Sequence, residues 1–143
     1  MGIGEKGVFE VEFRVRDYEC DMAHVVNNAV YLNYLEHARH QLLESLGLRF
    51  GELAREGINL VVTRIEADFK KSLASGDCFV VRSSLRRKGR IRLQFNQSIH
   101  RKPDEAIMLT AVVTGAAINT RGRPDMPDVI VNAIDGFSRL DFA

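Results

Sequence analysis

Residues 16–39 read RDYECDMAHVVNNAVYLNYLEHAR, a loop dense in Asp, Glu, His and Asn that runs directly into an apolar segment. Asn27 and Asn28 are good helix starters, because an Asn side chain can accept from the first free N–H groups of a helix. From Ala29 to Leu46 the apolar residues fall at 30, 31, 32, 34, 35, 38, 42, 43 and 46. That band is wider than the single stripe of a surface helix. Glu36, His37, His40, Gln41 and Glu44 fill the remaining sector, and Gly47 is placed to end the helix. The spacing predicts a central helix, buried almost all round, whose N-terminus meets the polar loop.

On either side the period changes from 3.6 to 2. VFEVEFRVR (8–16) alternates strictly, with Phe9, Val11, Phe13 and Val15 on one face. After a short amphipathic turn, FGELAREG, INLVVTRIEADFKKS (58–72) alternates through Ile65, Ala67 and Phe69. DCFVVRSSLRRKG (77–89) does so through Phe79, Val81 and Leu85, and residues 90–100 through Ile91, Leu93, Phe95 and Ile99. EAIMLTAVVTGAAINT (105–120) is a long strand with Gly115 as a bulge or kink. Turn-rich connections (ASGD, RKGR, KPDE) join them, and DVIVNAIDGF makes a last short helix. Strand, long helix, then four hairpin-connected strands predict the α+β class with a five-stranded antiparallel sheet. Residues 1–143 make one domain, with flexibility expected in 1–7 and after about 138. An open sheet has edges to manage, and pairing with a second copy is a common solution.

Composition narrows the function classes. The chain is 45% hydrophobic and 27% charged with net charge +1, which supports a real core and gives no global basic bias for nucleic acid. No apolar run approaches membrane-spanning length, and MGIGEKG lacks the apolar run of a secretory signal, so a cytoplasmic protein without membrane insertion is expected. Cys20 and Cys78 lack CxxC spacing and are expected to be buried or partly buried free thiols. Four histidines and two cysteines show no recurring ligand motif, so no metal is expected. No Gly-rich phosphate loop and no Ser nucleophile elbow occur.

The spacing Asp21 … Asn27-Asn28-Ala29-Val30-Tyr31 … Glu36 … Ala38-Arg39, after a strand, resembles the 4-hydroxybenzoyl-CoA thioesterase branch of the hotdog-fold superfamily. Within that branch it looks most like the acyl-lipid and acyl-CoA thioesterases. SGDxFVV at 75–81 and NTRGRP at 119–124 extend the likeness from about residue 8 to 128. The resemblance implies a long helix wrapped by a five-stranded antiparallel sheet, a homodimer or homotetramer with sites between subunits, and hydrolysis of acyl-CoA or acyl-carrier-protein thioesters. Coenzyme A is then part of the substrate, and no separate cofactor is implied. The alternatives are an aromatic acyl-CoA thioesterase, of hydroxybenzoyl or dihydroxynaphthoyl type, and a non-hydrolytic acyl-CoA-binding protein.

Thioester hydrolysis needs a polarised carbonyl and an attacking carboxylate or water. A helix N-terminus offers unpaired N–H groups and partial positive charge for the developing oxyanion, which nominates the N–H groups of Asn28 and Ala29. Read alone, Asp21 is a cap or turn residue; the resemblance makes it the catalytic carboxylate, as nucleophile or as general base. Asn27 and Tyr31 are candidate substrate contacts, with capping and core packing as their plain alternatives. Glu36 is the second acid, and an exposed pairing with His40 is its simple account. Many relatives have Gly three residues after the catalytic Asp; here His24 stands there, either narrowing the pocket, shuttling a proton or facing solvent. Arg86, Arg87, Lys88, Arg90 and Arg92 crowd one hairpin tip, which is either simply solvated or suited to the phosphates of coenzyme A or an acidic carrier protein.

Overall fold

The alternating stretches all become strands and pair into one antiparallel sheet. The computed structural model describes residues 7–138 and the backbone of Gly2–Ile3. In chain order the elements are β1 (Gly2–Ile3), β2 (Phe9–Arg14), α1 (Asn28–Ser45), α2 (Phe50–Arg55), β3 (Asn59–Phe69), β4 (Cys78–Lys88), β5 (Arg92–Lys102), β6 (Ile107–Ile118) and α3 (Asp128–Ser138). The sheet runs β1-β2-β4-β5-β6-β3. The five expected strands are present, and two-residue β1 adds to them by pairing Ile3 with Phe9. Flexibility expected in the rest of the leading residues and after 138 lies outside the described residues.

α1 crosses the inner face of this sheet, as the resemblance implies. Leu35, Ala38 and Leu42 are fully buried against Phe79, Val81 and Leu85 of β4 and Phe95 and Ile99 of β5. Its buried residues are Tyr31, Tyr34, Leu35, Ala38, Arg39, Leu42 and Leu43. That is one stripe of i, i+3, i+4 spacing, so the expectation of a helix buried almost all round is corrected. In one chain Asn33, Glu36, His37 and His40 remain exposed, because the sheet covers α1 from one side only. Gly47 ends the helix with φ of +79°, the left-handed conformation glycine adopts at no steric cost. α3 closes the core with Ile130, Ile134 and Phe137, and Arg87 of β4 forks onto its Asp135 at 2.8 and 2.9 Å.

Two differences from the sequence reading concern exposure. Ile91 sits in the β4–β5 turn and is 41% exposed, since the strand begins only at Arg92. Cys78, at the start of β4, is exposed rather than partly buried; Cys20 is half-buried, and both are free thiols.

The edge strand β3 is different in kind. Among the described residues it pairs only with β6, and Val61, Val62, Ile65 and Phe69 along it are 36–50% exposed. The expected irregularity at Gly115 is real, with the bulge itself on β3 between Val62 and Arg64. A Cβ at Gly115 would lie 2.8 Å from the Val61 carbonyl oxygen, so the approach of the two strands there requires glycine. Among the described residues no helix is long and apolar enough to cross a membrane.

Candidate active site

The polar loop between β2 and α1 is held by its own hydrogen bonds. A 3₁₀ turn spans Asp17–Glu19. The Glu19 carboxylate accepts from the Arg16 N–H at 2.8 Å and from the Tyr34 hydroxyl of α1 at 2.8 Å. Burial, then the Glu19 carboxylate, pushes the Tyr34 phenol well above its usual range, so it stays a donor. Ser75 of the β3–β4 connection donates to the Asp17 carboxylate. The Val26 N–H donates to the Leu73 carbonyl at 2.9 Å, which ties the loop to the segment after β3. Lys70 and Lys71, both exposed, lie in that same segment.

Asp21 stands in the middle of this scaffold, exposed. Its Oδ1 accepts from the Ala23 N–H at 2.8 Å, its N–H donates to the Val25 carbonyl at 2.9 Å, and its carbonyl accepts from the His24 N–H at 3.0 Å. The carboxylate is therefore fixed in direction, with its second oxygen open. His24 has φ of +64°, the conformation in which a glycine is at ease. Its ring is exposed at the loop tip and makes no contact among the described residues.

At the helix start the candidates separate. Asn27 is the N-cap, and its Oδ1 accepts from the Ala29 N–H at 2.9 Å. Ala29 is thus engaged, and Asn27 caps rather than reaching for a substrate. The Val30 N–H bonds the Asn27 carbonyl at 2.9 Å. The Asn28 N–H has no acceptor among the described residues, which leaves it the free donor at the positive end of α1. Tyr31, offered as a substrate contact, is buried in the core instead: its hydroxyl accepts from the Leu73 N–H at 2.8 Å, and burial raises its pKa. It braces the loop from below.

The remaining candidates lie away from this point. Glu36, two turns along α1, is exposed and faces His40 at 3.8 Å, the expected i,i+4 pairing. Within one chain the basic tip stands at the other end of the sheet, because β4 runs from Cys78 beside Arg14 to Lys88, about 33 Å away. There Arg86 donates to Gln94 at 3.0 and 3.3 Å and Arg87 to Asp135, while Lys88, Arg90 and Arg92 are exposed. No group of three or more potential metal ligands occurs among the described residues.

Sequence reasoning missed one residue that the structure brings forward. Arg39 is 7% exposed, bonded to Gln97 of β5, and borders a cavity of about 220 Å³ between α1 and β3. The signal was present: position 39 lies four residues after Leu35 and four before Leu43, on the buried stripe, and Gln97 interrupts the inward series 93, 95, 99.

Comparisons with known proteins agree with this architecture. The model of the thioesterase-like superfamily matches residues 15–134. The chain is 38% identical to the chloroplastic acyl-acyl carrier protein thioesterase ATL3 of Arabidopsis thaliana, over 99% of this chain and 75% of that one. It is 27% identical to the long-chain acyl-CoA thioesterase FadM of Escherichia coli, over 78% of this chain and 84% of that one. The fold matches that of Slr0204, a 1,4-dihydroxy-2-naphthoyl-CoA thioesterase from Synechocystis, with a TM-score of 0.85 at 20% identity, over 90% of this chain and 96% of that one. With a family model matching residues 15–134 and a relative 38% identical over nearly the whole of this chain, the chain belongs to the thioesterase-like superfamily and is a hotdog-fold thioester hydrolase.

Proposed function

We propose that the protein hydrolyses acyl thioesters of coenzyme A or of an acyl carrier protein, with Asp21 as the catalytic carboxylate. The observation that carries this reading is that one loop, tied to the helix start by the Asn27 N–H donating to the Glu19 carbonyl, holds an exposed Asp21 aimed by the Ala23 N–H and leads into the acceptor-free Asn28 N–H at the start of α1. The thioester carbonyl oxygen takes the Asn28 N–H, and the negative charge that develops there is met by the helix dipole. Two routes keep the atoms balanced. As nucleophile, the Asp21 carboxylate attacks the carbonyl carbon, the C–S bond breaks, the thiolate leaves, and water cleaves the resulting anhydride to release the acid. As general base, Asp21 takes a proton from the attacking water and the same C–S bond breaks.

The acting unit in this reading is a homodimer joined along β3. Exposed apolar side chains and an unpaired backbone edge on that strand support it. Antiparallel pairing of two β3 strands carries the second copy's basic hairpin tip to the end of the sheet where Asp21 stands. Lys88, Arg90 and Arg92 would there face the phosphates or acidic surface of the donor, with Lys70 and Lys71 on the loop side.

The test is thiol release from acyl-CoAs of graded length, benzoyl-CoA and acyl-carrier-protein thioesters, by wild type and Asp21→Asn. Asp21→Asn is expected to lose about a hundredfold or more in kcat at unchanged melting temperature. Full activity in Asp21→Asn would remove the carboxylate from the reaction. Binding of acyl-CoA without release of thiol by wild type would favour the non-hydrolytic alternative.

A further inference from the structure

We propose that Arg39 determines specificity by holding a polar oxygen, first of all a carboxylate, carried on the acyl chain far from the thioester. The proposal rests on the thioesterase reading and adds a substrate class to it.

Arg39 is a cation placed where a core leucine would be expected. It lies on the buried stripe of α1, with the Phe95 ring 5.9 Å beneath its guanidinium carbon. Among the described residues no carboxylate forms an ion pair with it; Glu36 acts on it only at a distance. Burial lowers its pKa, the direction expected of a cation short of a counter-charge. A guanidinium has five N–H donors, and the Gln97 Oε1 takes one from Nη1 at 3.1 Å. No side-chain nitrogen or oxygen cut off from solvent lacks a partner among the described residues. The unbonded donors of Arg39 therefore reach open space, and the space it borders is the 220 Å³ cavity.

Its orientation is set in advance. Gln97 donates its amide to the Leu35 carbonyl at 3.0 Å and to the Ser83 hydroxyl at 3.0 Å, so its oxygen can only face Arg39. Burying an incompletely paired cation is unfavourable unless a partner arrives, so Arg39 is set to receive one from the cavity.

The cavity also lies at the right place for the far end of a chain. Arg39 is eleven residues beyond Asn28, about 16 Å along the helix. An apolar track connects the two ends: Val62 borders the cavity, Ile65 follows on β3, and Phe69 reaches the Tyr31 ring at 5.6 Å, below the Asp21 loop. A thioester at Asn28 with a medium-length acyl chain along this track would bring its last carbons to Arg39.

Three acyl-CoAs of matched length test this: dodecanoyl, and dodecanoyl ending in a hydroxyl or in a carboxylate. Wild type is expected to favour the carboxylate-ended chain over the plain one by about tenfold in kcat/KM, the size of one charge-assisted hydrogen bond, with the hydroxyl-ended chain between. Arg39→Met is expected to bring that ratio to about one through KM, and Arg39→Lys to keep part of it. Equal kcat/KM for the three chains in wild type, or an unchanged ratio in Arg39→Met, overturns the proposal while the thioesterase reading stands. A thermal-shift measurement with dodecanedioate and dodecanoate needs no turnover. The dioate is expected to stabilise wild type more and to lose that advantage in Arg39→Met. Equal shifts overturn the proposal even if no thioester is hydrolysed, an outcome that would separately sink the thioesterase reading.

Discussion

The two ends of α1 are built on opposite plans. At the N-terminal end the chain completes its own structure. Glu19, Tyr34, Asn27 and the Tyr31–Leu73 bond take up the loop's polar groups and leave Asp21 and one N–H facing out. Toward the C-terminal end the helix flank is open, a cavity lies beside it, and the neighbouring β3 edge has no strand beyond it. The first end needs only a substrate to be complete. In the proposed dimer the second is completed by another copy of the chain, which would couple assembly to chemistry.

The strongest way to break that contrast is to deny the open end its partner. Val62→Lys combined with Ile65→Lys places two like charges on the exposed β3 strand. Sedimentation is expected to show a monomer, and thiol release is expected to fall about a hundredfold, since in the proposed dimer each site takes its basic tip from the second copy. A monomer with full activity would show that one chain suffices. The closed end should respond the other way to change. His24→Gly removes a side chain held at positive φ, and denaturant unfolding is expected to show a gain of about 1 kcal/mol, less the freedom glycine adds to the unfolded chain. A loss of stability would mean that the His24 ring has a contact in the assembled protein. The smallest effect is expected at the cavity mouth, where His40 packs on Phe50 at 4.6 Å and burial lowers its pKa below 6.5. The folded protein then binds fewer protons than the unfolded chain, so His40 contributes stability above about pH 6.5 that is lost as pH falls. His40→Gln should flatten the melting temperature between pH 7 and 5; His100, lowered likewise by burial, accounts for any slope that remains.

Most of the fold could be read from periodicity. The helix expected from 29 to 46 forms over 28–45, and four of the five strands lie within their expected ranges while β5 runs two residues past its own to Lys102, because alternation and capping are local signals. The extent of burial around α1 could not be read that way. The apolar residues Val30 and Leu32 look like core in sequence, yet they are only half-buried, since the sheet covers α1 from one side. The proposed site was legible as far as Asp21 and Asn28. Which N–H is free depends on where the Asn27 side chain goes, and spacing does not carry that information. Arg39 was hidden for another reason. A charged residue in a helix reads as surface until the residue opposite it is known, and Gln97 lies 58 positions later.

The bulge in β3 has a consequence for solubility. A straight, apolar strand of eleven residues at the edge of a sheet is a template on which further strands can stack without end. Thr63 interrupts the row of backbone donors and acceptors between Val62 and Arg64, and the Val61 carbonyl presses against Gly115 behind it. A strand with a different rhythm does not match that interruption, whereas an identical strand running the other way meets it in one register. In the proposed dimer each β3 edge would be covered by its partner and closed to a third copy, leaving β1 as the outer edge. In that arrangement a glycine in the neighbouring strand would help keep an exposed apolar edge from becoming the seed of a fibre.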